Sequence, residues 1–330
     1  MKATQNQPVV GLALGSGSAR GWAHIGVIQE LENIGVRPQV VAGTSVGALV
    51  GAIYASGQLE EFSEWVQQLT VRTVVGLMDF SFSGGMMKGE KLFGFFLDRH
   101  QNPNIEDLGQ RYVSVSTEMK TGREIWITRG PVLTAARASC AMPGLFSPVM
   151  HNDRWMLDGG LVNPVPVSAA RALGADVVIA VNLNAQLVGA HLSRVSRQEV
   201  ERRAYAEDAP AEVGAAEVQE GAEAATAPVV APTTPAAPAA ERGFWHKVVG
   251  YFESNDPDRP GMFDVMASSV NIMQDRITRS RMAGDPAEIT LLPQLEDFAL
   301  MDFHRAAEAI EEGRGLVRRH APEILAWTGM

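Results

Sequence analysis

Val40-Val41-Ala42-Gly43-Thr44-Ser45-Val46-Gly47-Ala48-Leu49-Val50 is the stretch on which the fold turns. Val40–Ala42 reads as a short buried strand, and Val46–Ser56 as a helix of small and apolar residues closed by Gly57. Between them, Gly43-Thr44-Ser45-Val46-Gly47 is a G-x-S-x-G pentapeptide at a strand-to-helix junction. That setting suits a nucleophile elbow: a sharp turn holds the serine in a strained conformation, and glycines on either side remove Cβ clashes. The bland alternative is a Gly/Ser-rich βα turn with no chemical role.

Upstream, Val9–Leu14 is an apolar run that ends in glycines, as a buried parallel strand would. Trp22, Ile25, Ile28, Leu31 and Ile34 then recur at helical spacing, and Gly35 stands where a left-handed C-terminal cap belongs. Strand, helix, strand and helix at this short spacing predict a parallel sheet covered on both faces. Downstream, Tyr112–Glu118 and Glu124–Thr128 alternate like strands joined by a hairpin at Thr121-Gly122. Pro131–Ala141 reads as a helix with Pro131 in its first position, and Asp176–Leu183 as a further strand. Phe263–Met282 and Phe303–Arg319 read as long amphipathic helices flanking a strand near Glu288–Leu292, which completes the same sheet.

Length allows one large α/β domain or two ordinary ones, and 46% hydrophobic residues suffice for a sizeable core. A formal net charge of −10 argues against a nucleic-acid partner. The charge is uneven, however. Ala204–Glu241 holds seven acidic residues and no Lys or Arg, leaving −3 on the rest of the chain. Within it, 209–240 has 13 Ala and 5 Pro, too little large apolar surface to offset ordering entropy. We read 204–241 as a disordered insertion in a single domain spanning 9–330, with 1–8 as an N-terminal tail; a short helix over Arg197–Ala206 is the alternative for its start. A lone cysteine, Cys140, excludes a disulfide framework and a cysteine-based zinc site. No apolar run has the length of a membrane span or a signal peptide, so the expected location is cytoplasmic.

A second glycine-rich turn, Gly15-Ser16-Gly17-Ser18-Ala19-Arg20-Gly21, follows the first strand. It fails as a dinucleotide fingerprint because Arg20 replaces the third glycine and no acidic residue ends the second strand. It fails as a Walker A loop because no Gly-Lys-Ser/Thr closes it. It fits an oxyanion hole, with the N–H groups of Gly17, Ser18 and Ala19 as donors and Arg20 fixing the loop. Leu157-Asp158-Gly159-Gly160 is the third element: an aspartate ending a short strand over Trp155–Leu157, able to reach a neighbouring turn, or else a common Asp-Gly turn. None of His24, His100, His151, His191, His246, His304 and His320 stands at a strand-to-helix loop edge; each is expected to face solvent or end a helix. That leaves Asp158 as the base for Ser45.

With these elements in order, the sequence resembles the patatin-like phospholipase family, and within it the bacterial branch related to the catalytic domain of neuropathy target esterase. The resemblance spans roughly 9–185 and 262–320. It rests on Gly15–Gly21 before Trp22-Ala23-His24-Ile25-Gly26-Val27, on Gly43–Gly47, on Ala138–Pro148 and on Asp158-Gly159-Gly160. It implies a three-layer α/β/α fold with a mainly parallel central sheet. It also implies a Ser45–Asp158 dyad without histidine, metal or cofactor, acting on acyl esters of lipids through an acyl-enzyme. The family loop usually carries glycine where Ser16 and Ser18 stand, Ser18 being the less comfortable change. A soluble carboxylesterase or thioesterase, or a catalytically weak scaffold, are the competing readings.

The most apolar irregular stretches, Phe80–Lys88 and Leu92–Leu97, read either as a mobile wall around an acyl chain or as ordinary core. Phe244–Phe252, aromatic with one lysine, reads as an interfacial anchor for peripheral membrane contact or as a helix packed on the domain. Protein partners are not legible.

Overall fold

Every residue of Val10–Leu14 (β1), Val40–Thr44 (β2) and Val177–Val181 (β7) is buried. Continuous rather than alternating burial marks strands covered on both faces. The structure, a computed structural model, describes residues 7–77, 90–185 and 262–330. The expected insertion at 204–241, the stretch 80–88 and the aromatic run 244–252 lie outside the described residues.

The remaining elements are α1 (Ala23–Asn33), α2 (Val46–Ala55), α3 (Leu59–Gln67), α4 (Val71–Leu77), α5 (Glu90–Arg99), β3 (Arg111–Glu118), β4 (Glu124–Ile127) and α6 (Val132–Ser139). After them come β5 (Val149–His151), β6 (Arg154–Asp158), α7 (Val167–Ala172), α8 (Met262–Gly284), β8 (Ile289–Leu291) and α9 (Ala306–Thr328). The sheet runs β5-β6-β3-β2-β1-β7-β8, with β4 also paired to β3. β3, β2, β1, β7 and β8 are parallel, while β4, β5 and β6 join by antiparallel pairings. The fold is thus three-layer α/β/α with a mainly parallel sheet. One face carries α1, α2, α6 and α9, through residues such as Ile25, Leu49, Leu133 and Ile310. The other packs Val165, Val167, Ala169 and Ala170 against Ala13, Val40, Val113 and Val178.

One detail of pairing places the chemistry. Ser114 and Val115 pair with β2 on one side and β4 on the other, while Ser116 and Thr117 pair with both β4 and β6. A strand has only two edges, so β2 and β6 share one edge of β3, end to end. β2 arrives from below with Thr44 opposite Val115, and β6 arrives from above with Asp158 opposite Ser116. The residue after β2 therefore meets the last residue of β6.

Several sequence expectations need correction. The helix expected over Pro131–Ala141 starts at Val132, and Pro131 is its extended N-cap (φ −60°, ψ 125°). Trp22 lies in a 3-10 turn over Ser18–Trp22, ahead of α1. The last helix continues beyond Arg319 to Thr328 with Pro322 inside it; tertiary packing of Ile324, fully buried, outweighs the helix-breaking residue. α3, α4, α7 and β5 have no counterpart in the sequence reading. Leu92–Leu97 lies in α5, where buried Phe93 belongs to the core and Phe95 stacks on Trp65 with ring centroids 5.0 Å apart.

Candidate active site

Ser45 stands at the N-cap of α2 with φ 57° and ψ −126°, a left-handed conformation rare for a residue with a side chain. Such strain costs on the order of 1–3 kcal/mol and persists only where the surroundings over-determine it. The surroundings do so here. Gly47 lies against β1, where a Cβ would stand 2.2 Å from the Leu14 carbonyl oxygen. At Gly43 a Cβ would stand 2.5 Å from Ala48 Cα, so both glycines are needed to fold the strand back into the helix. The Ser45 N–H donates to Ser139 Oγ at 2.8 Å, and Ser139 in turn donates to the Val115 carbonyl. That carbonyl points at the junction between β2 and β6, where no strand partner covers it. Ser139 thus closes the gap in the ladder and fixes the turn at once.

Ser45 Oγ donates to Asp158 Oδ2 at 2.6 Å. Asp158 Oδ1 accepts from the Gly160 N–H at 2.7 Å, its N–H donates to the Ala141 carbonyl at 2.9 Å, and its carbonyl accepts from Thr117 Oγ1 at 2.8 Å. Asp158 is 1% exposed. Burial pushes its carboxyl up to about 6, against the downward pull of the Ser45 and Gly160 hydrogen bonds. Gly159 sits under β3 and β2, where a Cβ would meet the Val115 carbonyl oxygen at 2.1 Å.

The loop from Gly15 to Gly21 lies beside this pair because Leu14 and Gly43 are opposite each other in the parallel register. Its start is pinned: the Gly15 N–H donates to the Val181 carbonyl and the Ser16 N–H to the Pro164 carbonyl. Gly21 packs on Val46, whose side-chain methyls would stand 2.3 Å from a Cβ there. Arg20 is 1% exposed, and burial pulls its guanidinium down to about 10, still charged at neutral pH. Its Nε donates to the Gly17 carbonyl at 3.2 Å and its Nη2 lies 3.5 Å from Asn271 Oδ1. In a trans peptide the carbonyl and the following N–H point opposite ways, so holding the Gly17 carbonyl aims the Ser18 N–H away from Arg20.

The three expected oxyanion donors are not equivalent. The Ala19 N–H donates to the Leu300 carbonyl at 3.2 Å and is committed there. The N–H groups of Gly17 and Ser18 have no hydrogen-bond partner among the described residues. Ser18 adopts φ 51°, and its Oγ donates to the same Leu300 carbonyl at 2.6 Å. The serine at this glycine-favouring position is therefore tied to the C-terminal part of the chain. Ser18→Ala keeps the unfavourable φ and loses the tether, so it should destabilise the fold by about 1–2 kcal/mol; Ser18→Gly relaxes the φ and should cost less. Urea denaturation of the two variants gives the order.

Sequence reading missed Ser139, and for His24 it left open a solvent-facing or a helix-terminal place. His24 begins a helix, as expected of a helix-terminal histidine, but it is fully buried, with Nε2 2.8 Å from the Gly15 carbonyl. Burial pulls it down to about 4, so it is neutral at physiological pH and serves the loop as an N–H donor. Among the described residues no three His, Cys, Asp or Glu side chains are grouped as metal ligands, and no helix is long and apolar enough to cross a membrane.

Comparison with known proteins gives this geometry a family. A family model described as patatin-like phospholipase matches residues 12–171. An uncharacterised NTE family protein of Mycobacterium tuberculosis is 35% identical over 338 residues, covering 94% of this chain and 91% of that protein. The lysophospholipase NTE1 of Coccidioides immitis is 32% identical over 191 residues, covering 53% of this chain and 12% of that protein. The mouse patatin-like phospholipase domain-containing protein 6 is 32% identical over 185 residues, covering 54% of this chain and 14% of that protein. The class so defined is a hydrolase of lipid esters built on the patatin fold. Within that class the chain belongs to the NTE family of patatin-like phospholipases.

Proposed function

We propose that Ser45 and Asp158 form a catalytic dyad that cleaves the carboxylic esters of phospholipids or lysophospholipids. Asp158 Oδ2 takes the Ser45 Oγ proton as the oxygen attacks the ester carbonyl carbon. The oxyanion lies against the N–H groups of Gly17 and Ser18 and the N-terminus of α2. The tetrahedral intermediate expels the alcohol or glycerophosphoryl group, which takes the proton from Asp158. The acyl-enzyme is then attacked by water, whose proton passes to Asp158, and fatty acid is released with the proton returned to Ser45. The observation that carries this reading is the 2.6 Å hydrogen bond from a strained serine to a fully buried carboxylate. The named lysophospholipases among the relatives favour a lipid ester over a soluble one. We take the chain as a single hydrolase domain, interrupted near 204–241, that meets its substrate at the membrane surface from the cytoplasmic side.

The base form of Asp158 is its carboxylate, so kcat/KM should fall as pH drops through about 6 and level off above pH 7. The test is fatty acid release from lysophosphatidylcholine and from p-nitrophenyl butyrate across pH 4.5–9. An acid limb near 6 on both substrates supports the dyad. Turnover of the soluble ester alone overturns the lipid reading.

A further inference from the structure

Gln274 lies on α8 and is 2% exposed. Its Oε1 accepts from Asn184 Nδ2 at 2.7 Å, which fixes the side-chain amide and turns the NH2 end toward Gly160. There the nitrogen stands 2.3 Å from the point that a Gly160 Cβ would occupy; Asp158 Oδ1 is 2.9 Å and Ser16 Oγ 3.0 Å from the same point. The second glycine after Asp158 is thus glycine to admit an amide from a helix more than a hundred residues away. Gln274 Nε2 and Ser16 Oγ are both buried without a hydrogen-bond partner among the described residues.

Resting on the dyad reading above, we infer that Gln274, with Ser16, is a positioning residue that keeps Asp158 Oδ1 a pure acceptor and so directs the Ser45 proton to Oδ2. A carboxylate has two oxygens, and a base that takes its proton on the wrong one is lost to the reaction. Oδ1 already accepts from the Gly160 N–H. Gln274 Nε2 and Ser16 Oγ converge with Oδ1 on the space over Gly160 without hydrogen-bonding it in this structure; a neutral donor there favours the ionised form and disfavours protonation at that oxygen. Other titratable groups near Asp158 do not supply this. Cys140, at the C-cap of α6, has a buried thiol held far above its usual range and is uncharged. His24 is neutral, Arg20 is engaged with Gly17, Arg137 on α6 reaches toward Ser147 and the Phe93 ring, and Asp275 on α8 binds Arg279.

The experiment is the pH profile of kcat/KM on p-nitrophenyl butyrate for the full chain and three variants. Gln274→Met keeps the volume and removes the donor; its acid limb should move up by about one pH unit, a roughly fivefold loss at pH 6 that approaches tenfold at lower pH and disappears by pH 8.5. Gln274→Glu places a like charge beside Oδ1, and its limb should move up further. Ser16→Ala, a smaller change, should move it the same way by less, and keeps the idea testable if the α8 variants fold poorly. A uniform loss at every pH, or an unmoved limb in Gln274→Met and Ser16→Ala, overturns the inference. Failure of the dyad reading shows separately, as activity surviving in Asp158→Asn.

Discussion

Ser45→Ala should lower kcat/KM on aryl esters and on lysophosphatidylcholine by on the order of 10⁴–10⁶-fold, as removal of a nucleophile does in other serine hydrolases. The same change should abolish labelling by a fluorophosphonate probe. The effect is large because nothing beside Ser45 can replace it. The neighbouring Ser139 hydroxyl is engaged with the Ser45 N–H and the Val115 carbonyl, and the buried Cys140 thiol is held far above its usual range, so it supplies no thiolate at neutral pH. The substitution should also destabilise the fold by about 1–3 kcal/mol above pH 7, because alanine relieves none of the turn's strain and leaves the buried Asp158 Oδ2 without its donor. Retained labelling in Ser45→Ala would remove the nucleophile assignment.

Asp158→Asn should abolish activity to a similar degree and at the same time raise the melting temperature above pH 7. Two facts combine. An amide cannot take the Ser45 proton. The wild-type carboxylate is ionised in a fully buried site, at about 6 against an ordinary 3.8. A carboxyl group raised on folding is held less well as a charge in the folded state than in the unfolded chain. The folded protein therefore binds more protons between those two values, and stability falls as pH rises from about 4 to about 6. Above that range the deficit is constant, at most about 3 kcal/mol, or a few degrees in Tm for a chain of this size. Asparagine fits the same contacts, with Oδ1 accepting from Gly160 and Nδ2 donating to Ser45 Oγ. Calorimetry at pH 8 and pH 4 should show the variant more stable at the first and level with wild type at the second. A variant less stable at pH 8 would mean that the Ser45 and Gly160 hydrogen bonds outweigh desolvation of the charge.

These expectations divide the protein between what is local and what is not. Gly43–Gly47 after a β-branched run, Gly15–Gly21 after another, and Asp158-Gly159-Gly160 are turn and strand signals carried by neighbouring residues, so the α/β alternation and the three loops were legible from spacing. Gly35 and Gly57 have the positive φ expected of residues that close helices. The histidines were harder, because nothing near His24 in sequence announces that it is buried against the carbonyl of Gly15. The Ala19 N–H looked like an oxyanion donor for the same reason: its acceptor, the Leu300 carbonyl, comes from the other end of the chain.

By itself the sequence determined the secondary structure around each loop and singled out Ser45 and Asp158 as the candidate pair. The tertiary structure decided how those loops meet. Ser45 and Asp158 are 113 residues apart and come together only because β2 and β6 abut on one edge of β3. Ser139 closes that junction, Leu300 claims one of the three loop N–H groups, and Gln274 fills the space left by Gly160. Periodicity and turn chemistry act over a few residues. Strand edges and buried hydrogen bonds are satisfied by whichever distant segment the packed sheet brings against them.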